Sequence, residues 1–427
     1  MMRKILLILY YWPPAGGPGV QRWLYFVRYL PQFGIEPVLY LPEKPHYPLQ
    51  DPELEEQVPE GIRMYRCRFW EPYGLASLLS PGKTRRISSG IIRRKKAGLI
   101  ERALLWIRGN LFIPDARRGW VKPALRELPA ILEREGIDTV VTTGPPHSLH
   151  LIGMGLKERL GVRWVADFRD PWTEIGYMDA LFPGKRAMRH HRELESLVLR
   201  AADQVITTSR TTASAFAALT DRPVSVVTNG YDGQPGDGRQ PEGDFVLAHI
   251  GSMLSDRNPE TLWKALRSLT DQNPVFAGRL RIELTGLVSP EIEQSLKTHG
   301  LWEHTLVRPY VTHREALALQ RQAQVLLLVE IDSPQTRGIL PGKLFEYMAA
   351  ARPVLAIGPE GWEAAELVAQ TGCGSGFTYA QEPEIRAQLL RWYEAYEAGA
   401  LHQDPGIAKP FHRRALTEKL AKEVLWA

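Results

Sequence analysis

Residues 338–361, GILPGKLFEYMAAARPVLAIGPEG, read as turn, helix, turn, strand and turn. Pro341 and Gly342 punctuate, and Leu344 to Ala351 are mostly good helix formers. Pro353 stops that helix, because proline cannot continue one and disfavours helical geometry just before itself. Val354 to Ile357 is then a short apolar run closed by Gly358-Pro359, as in a buried parallel strand. The chemistry gathers at the start of the helix. Gly342 allows close approach, first-turn N–H groups lack partners inside the helix, and Lys343 adds a mobile cation. Glu346, one turn further in, is a carboxylate that could accept two hydrogen bonds from a vicinal diol such as a ribose. Diphosphate plus ribose means a nucleotide. The plainer alternative leaves Lys343 solvated and Glu346 complementing the helix dipole, worth about 0.3–1 kcal/mol with no ligand. On this stretch alone the two stand level.

Before it, the second half of the chain repeats an α/β rhythm. FVLAHIGSM, from Phe245, is a strand entering a glycine turn, and NPETLWKALRSL a helix opened by Asn-Pro. RIELTG, EIEQSLKTHG and QVLLLVE continue as strand, helix and strand. Gly251, Ser252, Arg257 and Asn258 fall in the loop after the first of these strands, with Arg257 able to reach a phosphate. Asp232 to Gly243, DGQPGDGRQPEG, reads as an interdomain connection.

The first half has the same grammar. Ile5 to Tyr10 is an apolar strand, WPPAGGPGVQRW a Gly/Pro loop, Val20 to about Phe33 a helix, and Pro37 to Leu41 the next strand. This βαβ unit puts its glycine loop at the carboxyl end of the first strand, where open α/β sheets bind ligands. Gly16, Gly17 and Gly19 do not spell the dinucleotide fingerprint, and a tight turn explains them as readily. Thr139 to Ser148 is a strand running into Gly-Pro-Pro, and Arg163 to Trp172 another with a charged tip. Asp167, Arg169 and Asp170 crowd that tip, as a structural ion pair or as groups holding a polar ligand with one acid serving as base. His147 reads most simply as a hydrogen-bonded loop residue, and with Asp167 it is a candidate for contact with a sugar or acceptor.

At 427 residues the chain is too long for one ordinary domain. We read residues 1–231 as one Rossmann-like domain and 244–409 as a second, the two facing across a cleft. An amphipathic helix from Pro410 crosses back to the first. A net charge of +5 is modest for this length and no nucleic-acid module is present, so nucleic acid is not an expected partner. Cys67 and Cys373 match no metal-ligand spacing and suit a reduced compartment. MMRKILLILYYWPP is too short and broken for a leader, and no apolar run is long enough to span a membrane. Between Ser80 and Lys122, however, basic residues from Lys83 to Arg108 interleave with Ile, Leu and Trp106. That pattern favours an anionic bilayer surface, at about 1 kcal/mol per charge, over a solvated insertion.

WPPAGGPGVQRW, DFRDPW (167–172), TNGYD (228–232), HIGSM with Arg257, and PGKLFEYMAAARPVLAIGP, in this order, resemble a family-4-type glycosyltransferase of the GT-B fold. The nearest branch is the bacterial one acting in surface polysaccharide assembly. The resemblance implies a retaining transferase that takes a sugar from a nucleotide diphosphate donor without a metal or other cofactor. It places the donor mainly on the C-terminal half. Glu346 holds the place of the ribose-binding glutamate, and Arg257 that of a phosphate-binding lysine. Gly251, Gly342 and Lys343 would flank the diphosphate, with Gly16 and Gly17 near the donor phosphates and the reaction centre. Three positions depart from the pattern. Gly338 stands where the paired motif has its first glutamate, Ser252 where it has an arginine, and Arg169 where many members have a histidine. Arginine keeps its proton, so Asp170 becomes the candidate that orients or deprotonates an acceptor hydroxyl, with Arg169 steadying leaving-group charge. The acceptor is expected to be lipid-linked or a growing saccharide, and the protein cytoplasmic, on the inner face of the plasma membrane. The rivals are a nucleotide-sugar epimerase and a non-catalytic scaffold of the same fold.

Overall fold

A computed structural model describes residues 2–47, 49–71, 99–176 and 178–427. The chain divides into two units. Unit 1 is Met1–Thr228 with Arg413–Ala427, and unit 2 is Asn229–His412.

Unit 1 is built on a seven-stranded parallel sheet in the order β3-β2-β1-β4-β5-β6-β7. The strands are β1 (Arg3–Ile8), β2 (Ile35–Pro42), β3 (Arg63–Cys67), β4 (Thr139–Gly144), β5 (Arg163–Phe168), β6 (Gln204–Thr207) and β7 (Val224–Val226). The central strands are apolar on both faces because helices cover both. Leu6, for example, sits opposite Val38 on β2 and Val140 on β4, all fully buried. The helix after β1 runs Pro18–Tyr29, with proline in its first turn where the missing N–H costs nothing. The expected extension to Phe33 is a tighter turn, Leu30–Phe33, closed by Gly34 in the left-handed conformation at φ 77°.

The C-terminal segment completes this unit. Helix Arg413–Leu420 and a wider turn, Ala421–Leu425, press Leu416, Leu420, Val424 and Leu425 into the cluster holding Val20 and Trp23. Arg3 and Arg163 cap the end, donating to the carbonyls of Leu425 (2.8 Å) and Val424 (2.6 Å). Lys83 to Lys96, the basic core of the suggested membrane-facing insertion, lie outside the described residues. Downstream, helix Leu99–Leu111 buries Leu105 and exposes Leu104, Trp106, Ile107 and Leu111.

Unit 2 carries a six-stranded parallel sheet, β10-β9-β8-β11-β12-β13. Its strands are β8 (Phe245–Ile250), β9 (Leu280–Thr285), β10 (Thr305–Arg308), β11 (Val325–Val329), β12 (Val354–Gly358) and β13 (Gly374–Thr378). The opening stretch of the sequence forms helix Gly342–Ala350, ended by Ala351 at φ 54°, and then β12. Asp232 to Gly243 is not a free connection. Gly236 N–H donates to Ala349, Gln240 binds the Tyr396 carbonyl and the Leu401 amide, and Arg352 holds the Arg239 carbonyl. These backbone groups have partners in unit 2, so the segment packs as part of it.

In both sheets the strand order reverses beside the first strand, between β1 and β4 and between β8 and β11. Such switch points are where open α/β sheets bind ligands.

Candidate functional site

At the switch point of unit 2, Gly251 follows β8 with φ 122°, a backbone only glycine adopts without strain. A Cβ there would stand 3.1 Å from Lys343 Nζ, so the glycine keeps the lysine's place open. Lys343 lies in the first turn of helix Gly342–Ala350, whose N-cap Pro341 makes no side-chain cap. Its ammonium is 3.1 Å from His249 Nε2, and His249 Nδ1 is 2.9 Å from the Leu327 carbonyl. The carbonyl can only accept, so Nδ1 carries the proton and Nε2 offers a lone pair to Lys343. His249 is fully buried on β8, and burial, with Lys343 beside it, holds it neutral. Surrounding protein and then the positive charge of Arg257 push the Lys343 amine down to about 7, against the pull of Glu330 and Glu346.

Arg257 is aimed rather than loose. Its Nε and Nη2 donate to Glu330 Oε1 at 3.0 and 2.8 Å, and the Ile331 amide donates to the same oxygen at 2.8 Å. Glu330 is buried at the carboxyl end of β11, while the Arg257 side chain keeps 29 % exposure. Glu346 is half-buried. It takes a hydrogen bond from Gln320 (3.2 Å) and has His313 at 3.6 Å, both on helix His313–Gln322. Structure thus brings Gly251, Arg257, Gly342, Lys343 and Glu346 together at one end of one sheet.

In unit 1 the glycine loop does three separate jobs. Gly16 gives Leu49 room and donates its N–H to that residue's carbonyl at 3.0 Å. Gly17 caps the helix at φ 101°, ψ 168°. A Cβ on Gly19 would fall on the Arg169 guanidinium. Arg169 itself turns back, donating from Nε to the Gly144 carbonyl (3.3 Å) and from Nη2 to that of Pro145. These bonds join the ends of β4 and β5.

Asp167 is an interior residue of β5. It is fully buried, and its carboxylate receives Arg22 Nη2 (2.9 Å), Trp23 Nε1 (2.8 Å) and Thr143 Oγ1 (2.7 Å). Burial pushes its carboxyl up, but these donors outweigh that and hold it below the ordinary value. These donors tie it to the helix after β1 and to β4. Asp170, by contrast, reaches solvent. Neighbouring protein raises its carboxyl while Arg169 pulls it back. His147 is not an ordinary loop histidine. It is buried and neutral, and it stacks on Trp172 at 4.9 Å.

A model of the glycosyl transferase 4-like domain matches residues 16–232, just over half of the chain. This chain belongs to the glycosyl transferase 4-like domain family. Comparison with curated proteins by sequence finds no match. Among solved structures, it is similar to sucrose-phosphate synthase from Thermosynechococcus elongatus, with TM-score 0.59, 15 % identity, and coverage of 99 % of this chain and 98 % of that one. It is similar too to Anabaena HepE in complex with UDP-glucose, with TM-score 0.58, 14 % identity and coverage of 99 % and 100 %. A structure described as a UDP-N-acetylglucosamine 2-epimerase from Listeria monocytogenes gives TM-score 0.54, 10 % identity and coverage of 100 % and 97 %. Identities this low carry the fold, and the fold is GT-B.

The match of this glycosyl transferase 4-like chain spans Gly16 to Asp170 and ends at Asp232, so the unit 2 assignments rest on geometry. Two of that site's members, His249 and Glu330, are not singled out by the sequence reading. His249 looks like one more residue of an apolar strand, and its signal is its place two before Gly251. Glu330 was readable as an acid closing the apolar run of β11.

Proposed function

We propose that this glycosyl transferase 4-like protein transfers a sugar, with retention of configuration, from a nucleotide diphosphate donor to a saccharide or lipid-linked acceptor of surface polysaccharide. The observation that carries the reading is the Lys343 ammonium, held by His249 beside Gly251 at a helix start. Lys343, Arg257 and the helix amides would take up the charge that develops on the departing diphosphate, without a metal. Glu346 would accept the ribose hydroxyls, displacing Gln320 and His313. Asp170 would orient or deprotonate the acceptor hydroxyl. UDP-glucose in the similar Anabaena structure supports a nucleotide sugar as donor. The exposed Leu104, Trp106, Ile107 and Leu111 beside Arg102 support attachment to an anionic bilayer, which we take to be the inner face of the plasma membrane.

The test is thermal stability against UDP, GDP, ADP, CMP and dTDP without metal. A ligand at a hundredfold excess over its Kd stabilises by about 2.7 kcal/mol. One nucleotide should raise the melting temperature, and Glu346→Ala should abolish the rise. No rise with any nucleotide would overturn the donor site and favour a non-catalytic scaffold. The epimerase among the similar structures favours a second reading, in which the donor alone is converted. A changed nucleotide sugar without an acceptor would establish it.

A further inference from the structure

Helix Lys185–Ala201 carries two buried polar side chains, His191 and Glu195, one turn apart on one face. Both are spent on the loop after β5. Glu195 Oε1 accepts the Trp172 and Thr173 amides, each at 3.2 Å, and Oε2 accepts the Thr173 hydroxyl at 2.5 Å. His191 Nδ1 accepts the Trp172 indole N–H at 3.1 Å. Burial pushes the Glu195 carboxyl up, and the Thr173 and Trp172 donors pull it back. The loop is tied from its other side as well. The Arg169 amide donates to the Gly144 carbonyl at 2.9 Å, and the Thr208 hydroxyl donates to the Arg169 carbonyl at 2.8 Å. Between the two clamps lie only Asp170 and Pro171. Proline's ring fixes one of its own backbone torsions and restricts the residue before it, which is Asp170. The Asp170 carboxylate therefore hangs from a backbone with little freedom left.

Loop amides are commonly met by water or by a neutral oxygen, whereas taking a carboxylate out of water is costly. What the carboxylate adds is charge-assisted bonds, stronger than neutral ones, and with them a narrower spread of loop positions. Reaction depends on such placement, since a shift of about 1 Å costs on the order of a hundredfold in rate. We propose that Glu195 is a positioning residue of the transfer reaction: through Trp172 and Thr173 it fixes where the Asp170 carboxylate stands. The proposal rests on the reading above in which Asp170 meets the acceptor hydroxyl. Arg169 and Asp167 are the charges that act on the Asp170 carboxyl, so Glu195 reaches it through the backbone.

The full chain, labelled with carbon-13 at its aspartate carboxyls and titrated by NMR, gives a test that needs no ligand. Asp170→Asn identifies the Asp170 signal. Its wild-type midpoint should lie above the ordinary aspartate value of about 3.9, because neighbouring protein raises it. Glu195→Ala releases the loop, lets water reach Asp170 and should bring the midpoint down toward that value. Glu195→Gln keeps an oxygen for both backbone N–H groups and an NH2 for Thr173 Oγ1, and should leave the midpoint where it is. Both variants remove the negative charge, so the pair separates position from charge. Thr173→Val takes one donor away from the loop side. It should give a smaller fall, and it decides the matter if Glu195→Ala does not fold. An unchanged midpoint in the variant that decides, a fall as large in Glu195→Gln as in Glu195→Ala, or a wild-type midpoint at the ordinary value overturns the proposal. Turnover is scored separately: an Asp170→Asn enzyme as fast as wild type sinks the base reading, and an indifferent titration sinks this inference alone.

Discussion

Lys343 has an amine that gives up its proton near neutrality, and this has two consequences of opposite sign. Its folded value is about 7 against an ordinary 10.5. Between those values the unfolded chain holds a proton that the folded chain has released. Stability from this group therefore climbs with pH across that window, and Lys343→Met should flatten the climb in denaturation curves taken at several pH values. Diphosphate binding runs the other way, because it needs the ammonium. Nucleotide-sugar affinity, measured by calorimetry, should fall as pH rises through about 7. His249→Phe removes the lone pair that holds Lys343, and a hydrogen bond to a charged group is worth about 1.5–3 kcal/mol. Affinity should drop tenfold or more, with its pH midpoint displaced downward, while the fold survives. A variant binding as the wild type does would show His249 to be mere packing. Asp167 belongs to a different class. Asp167→Ala leaves Arg22 buried without its partner and should cost about 3–5 kcal/mol by chemical denaturation.

Single elements show what local sequence conveys. Gly17→Ala forces a side chain into a region almost exclusive to glycine, at a cost of about 1–3 kcal/mol. Gly19→Ala, with an unstrained backbone, should leave stability closer to wild type but displace Arg169 and lower turnover. Equal stability losses in the two variants would refute that distinction. The glycine loop, β8 with Gly251, and helix Gly342–Ala350 with β12 were legible because period, punctuation and helix-start chemistry all lie within one short stretch. Edge strand β3, RMYRC, has no apolar run to betray it, since only Cys67 of the five is buried. Helix His313–Gln322 is mostly polar, although Thr312 and Glu315 form a capping box that marks its start. The burial of Asp167 was not legible at all. Its partner Arg22 is 145 positions away and meets it only once β1 and β5 lie in one sheet.

At the scale of the whole molecule, the closing segment decides the stability of unit 1. Leu420 is fully buried among Val20, Trp23 and Leu24. Leu420→Ala should cost about 2–5 kcal/mol, read as a lower melting temperature, with nucleotide-induced stabilisation in unit 2 retained. Loss of that stabilisation as well would mean that the two sites are not energetically separate.

The division of unit 1 into Met1–Thr228 and Arg413–Ala427 also sets a clock on its birth. Synthesis proceeds at roughly 5–20 residues per second, so the intervening stretch, on the order of 180 residues, takes about 10–40 s to emerge. Throughout that interval the nascent chain displays an unfilled greasy slot where Leu416, Leu420 and Val424 will dock. The pace of the ribosome across unit 2 thus sets how long that slot stays open.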